Sequence, residues 1–173
     1  MKYDLTKKKL WAYILIILLA FFVVINKEVD IKYYDINYLS NINVLYIFLF
    51  NFIIVTIWFV FAHLGISIFF VFKFVIGMVM AGKEFYGGAR IYFLSSLSHG
   101  VCELLIVFLI FSYSIDFLIA LIDLYKTGDK TQVVSVIKKF FKEKFFIILL
   151  LLIISSILEV YVSNRIITFL FGG

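Results

Sequence analysis

Five ionisable side chains lie in stretches that otherwise read as lipid-soluble: Lys73, His99, Glu103, Asp116 and Glu159. His99 and Glu103 stand out, because in "SLSHGVCELLIVFLI" (95–109) they are four residues apart. On a helix that spacing places both on one face. A charge at the centre of a bilayer costs about 2.5–3.5 kcal/mol on insertion scales, so such groups turn toward protein partners rather than lipid. Counted from Tyr92, Glu103 falls about 16 Å into its helix, close to mid-membrane. The expected partners are Glu159, in the last apolar run, or Lys73, in the third. Gly100, between the pair, leaves room for a second backbone. Three chemistries fit this set: a polar clamp between helices, a proton or ligand pathway, and a metal site. For metal, His99 and Glu103 supply two ligands where a catalytic zinc needs three, so neither a metal nor another cofactor is expected. His63, the only other histidine, falls near the end of a run. The sequence has no HExxH, GxSxG, Walker loop or CxxC. No catalytic residues are assigned, and an activity driven by nucleotide hydrolysis would need a separate ATPase.

The elements that position these residues are membrane spans. The chain of 173 residues is 65% hydrophobic and only 16% charged, where a soluble domain is nearer half apolar and a quarter charged. Its mean hydropathy is +1.13. A spanning helix needs about 20 mainly apolar residues. The runs place spans at about 10–25, 44–62, 65–82, 92–113 and 145–162, with the fourth extending toward Leu124. The first follows four lysines and is read as a retained anchor, because "VINKEVD" is no cleavage site. The break near "HLG" (63–65) fits a tight turn in which Gly65 takes angles that other residues resist. "YGGAR" reads as another turn. In "GMVMAG", Gly77 and Ala81 are four apart and would allow close helix approach. With no Pro in the chain, the usual cause of a sharp helix kink is missing.

Lysine and arginine set the orientation. The N-terminus carries four lysines and the 124–144 segment six, against five in the other connections and tail. With five spans the two rich segments share a side, which the positive-inside rule makes the cytoplasm. The expected fold is a single all-α polytopic bundle of five helices, N-terminus in and C-terminus out, in a prokaryotic cell membrane. The formal net charge of +5 follows from these blocks and is no nucleic-acid signal. The outer loop holds Tyr33, Tyr34 and Tyr38, expected at the headgroup level. Cys102 is the single cysteine and is read as a small buried hydrophobe. In "TQVVSVIKKFFKEKF", Val133, Val136, Ile137 and Phe140 form an apolar stripe, with Lys138, Lys139 and Lys142 largely elsewhere. That segment is expected to lie on anionic lipid or to dock a cytoplasmic partner.

Ser98-His99-Gly100-Val101-Cys102-Glu103 resembles a Pro-His-Gly-x-x-Glu motif that opens a membrane helix in the stage II sporulation protein M family. Asn51, Gly65 and Gly77 resemble the family's Asn before a Gly-punctuated helical pair, and "ILEVYVSN" resembles its acidic last helix, which would match Glu159. The resemblance runs from about Asn51 to the C-terminus. Ser98 and Leu105 stand where the family usually has prolines, and Lys73 where it has an asparagine. The resemblance implies one of two settings. One is the membrane machinery of engulfment in spore formers, which would make this chain a scaffold for cell-wall remodelling. The other is that of short relatives that accompany circular bacteriocin genes beside an ABC-type ATPase, in secretion and producer immunity. The short chain favours the second: a non-enzymatic membrane subunit of a transport complex, with an ABC-type ATPase and other membrane subunits as partners and homo-oligomerisation open.

Overall fold

The computed structural model describes residues 2–31 and 39–171, with side chains from Leu5 onward. The described residues are almost entirely helical: α1 (Lys2–Ile25), α2 (Asn41–Ala62), α3 (Ser67–Glu84), α4 (Ala89–Thr127), α5 (Thr131–Lys139), α6 (Phe145–Leu158) and α7 (Asn164–Phe171). Two π-helical turns, Phe140–Lys144 and Glu159–Ser163, join the last three into one rod of 41 residues, 131–171. In each turn the backbone bond reaches five residues back, Phe145 N–H to Phe140 and Asn164 N–H to Glu159. Tyr33, Tyr34 and Tyr38 lie outside the described residues.

Four helices are long and apolar enough to cross a membrane: 5–25, 41–62, 89–127 and 131–171. Their outward faces are apolar, with Trp11, Phe22, Leu94, Phe146 and Phe169 all exposed. This is an all-α protein of multi-pass membrane type. The helix expected as a third span, α3, has 18 residues and carries Lys73, Lys83 and Glu84, and it is not among the four.

Local chemistry explains the breaks. At the α2–α3 turn Gly65 has φ +74°, a left-handed angle that costs other residues about 1–2 kcal/mol. Helix α4 continues past Tyr113 and beyond Leu124, the extension expected for the fourth span, and stops at Gly128. There φ is +72° and the amide donates to the Leu124 carbonyl at 2.8 Å, a left-handed C-cap. Thirty-nine residues make α4 about 58 Å long, roughly twice the hydrocarbon thickness.

Helix α4 is the axis of the molecule, touching α1, α2, α3, α5, α6 and α7. Its Ile106, Ile110, Tyr113 and Phe117 form a core with Phe140, Ile148 and Leu152 of the C-terminal rod. On another side its Val107 and Phe111 pack with Tyr13 of α1 and Val71 of α3. Helices α1 and α3 complete the packing through Ala20, Val24, Val75 and Val79. Gly77, expected at a close helix contact, is exposed, and a Cβ there would meet nothing within 4 Å. The close small-residue contact on α3 is at Gly82, where an added Cβ would sit 2.9 Å from the Phe93 ring.

Polar contacts sort the helix ends. Toward one end Asp116 of α4 pairs with Lys9 of α1 and lies 3.9 Å from Lys144, which closes the first π-helical turn of the C-terminal rod. At the other end Lys83 of α3 donates to the carbonyls closing α1, Val24 at 3.1 Å and Ile25 at 3.0 Å, and also to that of Lys27. Leu39, just before α2, donates to Asn164 near the end of the rod at 2.9 Å.

Candidate functional site: a buried His–Glu–Glu cluster

The fold joins His99, Glu103 and Glu159. One ligand-type atom from each lies within 4.8 Å of the others, and all three residues are partly buried. His99 and Glu103 share a face of α4, as their spacing requires. Glu159 opens the π-helical turn of the rod packed beside it. Ser163 closes that turn. Its hydroxyl lies 2.7 Å from His99 Nδ1 and 3.4 Å from the Ser98 hydroxyl. Ser155, fully buried one turn before Glu159, donates to the His99 carbonyl at 3.5 Å. A π turn fits one extra residue into a helical circuit and re-aims the side chains on it; such turns recur at functional sites. Here it carries Glu159 and Ser163, the rod groups that face the His99 side chain.

Glu159 is thus the partner expected from the sequence, and Lys73 is not. Lys73 is exposed on the α2–α3 side, in a cleft of about 430 Å³ that it shares with Ile54, Trp58, Gly77 and Tyr92. From there it neutralises neither glutamate. Among the described residues no lysine or arginine forms an ion pair with Glu103 or Glu159. Tyr92, two helical turns before His99, is within electrostatic reach of both carboxylates.

Asn51 and Glu103 line the same apolar cavity of about 120 Å³, between α2, α3, α4 and α6, together with Trp58, Phe74 and Leu152. Ile54, Trp58 and Phe74 line both this cavity and the Lys73 cleft. Gly100 is buried, but the nearest atom to an added Cβ is the Met78 side chain at 3.9 Å. It makes room for a side chain of α3, not for the second backbone expected there. Cys102 is buried, its thiol directed at the Ser98 carbonyl.

Lys138, Lys139 and Lys142 are exposed and border a cleft of about 610 Å³ with Lys130 and Val134. The apolar stripe beside them is already occupied. Phe140 is buried, and Val133, Val136 and Ile137 pack on the same core as Tyr113 and Phe117. The stripe thus packs in part against α4, and lysines with Val134 and Phe141 make up the exposed surface beside it.

Two contacts carried no sequence signal. His63 Nε2 meets the buried Tyr113 hydroxyl at 2.8 Å, while Nδ1 faces the Phe59 carbonyl at 2.9 Å. The other is the Lys9–Asp116–Lys144 cluster, which a ledger of charged residues near span ends could have nominated but not paired. Comparison with protein-family models, curated proteins and solved structures finds no match for this chain.

Proposed function

We propose that the chain is a non-enzymatic, five-span membrane subunit of a transport complex, N-terminus in the cytoplasm and C-terminus outside. In this reading it works with an ABC-type ATPase in secretion of, or immunity to, a membrane-active peptide. The observation that carries the proposal is the placement of ionisable groups. His99, Glu103 and Glu159 are drawn together inside the helix packing, next to a cavity that Glu103 itself lines. Intramembrane ionisable groups that face a cavity mark substrate, ion or proton paths far more often than lipid contacts. The resemblance of the His99–Glu103 segment to the stage II sporulation protein M family supplies the choice of setting. The fivefold count rests on α3 crossing with α1 at its side. Lys73 then lies in the α2–α3 cleft, and Lys83 and Glu84 reach the far interface. The orientation rests on Lys9 and Lys144 meeting at Asp116, which gathers both lysine-rich segments at one end.

The test is co-purification of the full chain from its native membrane, with peptide sensitivity measured in a strain lacking it. An ABC-type ATPase in the eluate, and sensitivity restored to resistance by the wild-type gene, support the reading. Recovery of cell-wall hydrolases instead, with unchanged sensitivity, would replace it with a wall-remodelling scaffold.

A further inference from the structure

We propose that His99, Glu103 and Glu159 bind one divalent transition-metal ion, with Zn²⁺ the best match, inside the membrane. The inference is independent of the transport reading and rests on the geometry of the three side chains.

Four-coordinate zinc holds nitrogen and oxygen ligands at about 2.0–2.2 Å, so neighbouring ligand atoms sit roughly 3.4 Å apart. The three atoms here lie within 4.8 Å of one another. Closing that gap takes about 1 Å of movement, within reach of a glutamate side chain with its three torsions. The ligands come from two helices, with His99 and Glu103 one turn apart on α4 and Glu159 on the π turn of the rod. One ion would thereby tie α4 to the rod.

The surroundings of the imidazole fit a ligand. The buried Ser163 hydroxyl occupies Nδ1 at 2.7 Å, so Nε2 is the nitrogen left for the carboxylates. A metal-bound histidine characteristically has its second nitrogen fixed by such an outer partner. Charge points the same way. Once both carboxylates are deprotonated to act as ligands, a neutral imidazole with two carboxylates carries −2, and among the described residues neither carboxylate has a lysine or arginine paired to it. A divalent ion brings the cluster to zero, the least costly charge in a low-dielectric interior. One imidazole with two carboxylates favours Zn²⁺, Mn²⁺ or Fe²⁺ over ions that seek thiolates. Three protein ligands leave a fourth position free for water.

The experiment uses the full chain in nanodiscs, stripped with chelator and then titrated with Zn²⁺, with bound metal counted by mass spectrometry. One Zn²⁺ per chain is expected. Glu159→Gln and Glu103→Gln should each weaken binding by more than the roughly 10-fold expected for Ser163→Ala, whose loss frees only the outer hydrogen bond. Cys102→Ser should bind as wild type. Co²⁺ substitution of the wild-type chain should give visible bands of a nitrogen–oxygen site, a readout that needs no variant to fold. Absence of stoichiometric Zn²⁺, Mn²⁺ or Co²⁺ binding by the wild-type chain overturns the proposal. So does wild-type affinity in the Glu159→Gln chain.

Discussion

Removing Asp116 strips the partner from a lysine that the fold has already desolvated. Lys9 has a side chain only 7% exposed, and it pairs with Asp116 of α4. Lys144, 3.9 Å from the other carboxylate oxygen, is 20% exposed and also donates to the Ser112 hydroxyl at 3.2 Å. Asp116→Ala leaves two partly buried cations facing each other without the carboxylate between them. Breaking a fully buried pair costs about 3–5 kcal/mol. Asp116 is 33% exposed and Lys144 keeps Ser112, so the lower end applies, about 3 kcal/mol. Replacing both members with apolar residues of similar size removes the stranded charge, and Lys9→Met with Asp116→Leu should recover most of that loss. The assay is a double-mutant cycle on unfolding in mixed detergent micelles, with Lys9→Met, Asp116→Leu and the pair compared. A coupling above about 1 kcal/mol is the expected outcome. Additive effects, or an Asp116→Ala chain within about 0.5 kcal/mol of wild type, would refute the claim that this cluster binds α1, α4 and the rod together.

Three further outcomes follow from the same geometry. Replacing Lys138, Lys139 and Lys142 with Glu should weaken binding to anionic vesicles and leave stability unchanged, because these side chains are exposed and the stripe beside them is internal; unchanged flotation with such vesicles would contradict this. Gly65→Ala should destabilise by about 1–2 kcal/mol from the left-handed angle alone, and its Cβ would meet Leu118 at 3.2 Å; an unfolding midpoint equal to wild type would count against the turn. The Thr131 hydroxyl and amide both donate to Asp129, which holds that carboxyl below its ordinary range. The contact therefore supports the start of α5 above the ordinary aspartate value and is lost as pH falls through the depressed one. Hydrogen exchange at Val133 and Val134 should rise in that acid window, and in Asp129→Ala at neutral pH.

What the sequence made legible were properties of single helices. Apolar runs located the four long apolar helices, Gly65 located the turn, and the spacing of His99 and Glu103 put them on one face. Glu159 was nominated because an intramembrane acid needs company. The rest depended on neighbours. Periodicity marked Val133, Val136, Ile137 and Phe140 as one stripe but could not say that α4 covers it. Lys73 was expected inside because it interrupts an apolar run, yet a lysine can leave the core wherever a cleft is open, as it is beside Trp58 and Tyr92. Helix α4 runs on through Asp116 to Thr127, as the extension toward Leu124 anticipated, and ends only at the left-handed Gly128. The rod shows no break because a π turn absorbs an extra residue without Pro or Gly. Nothing in composition announces such a turn, so the approach of Ser163 to His99 could not be read before the fold was known.

The meeting of α4 with the π turn of the rod is the central claim, and a cross-link tests it most directly. His99→Cys and Ser163→Cys are combined in a Cys102→Ser chain with a protease site inserted at 128–130, between α4 and the rod. Mild oxidation in native membranes should join the two positions, so that the cleaved chain migrates as one band and separates into two on reduction. Two bands before reduction would contradict the account.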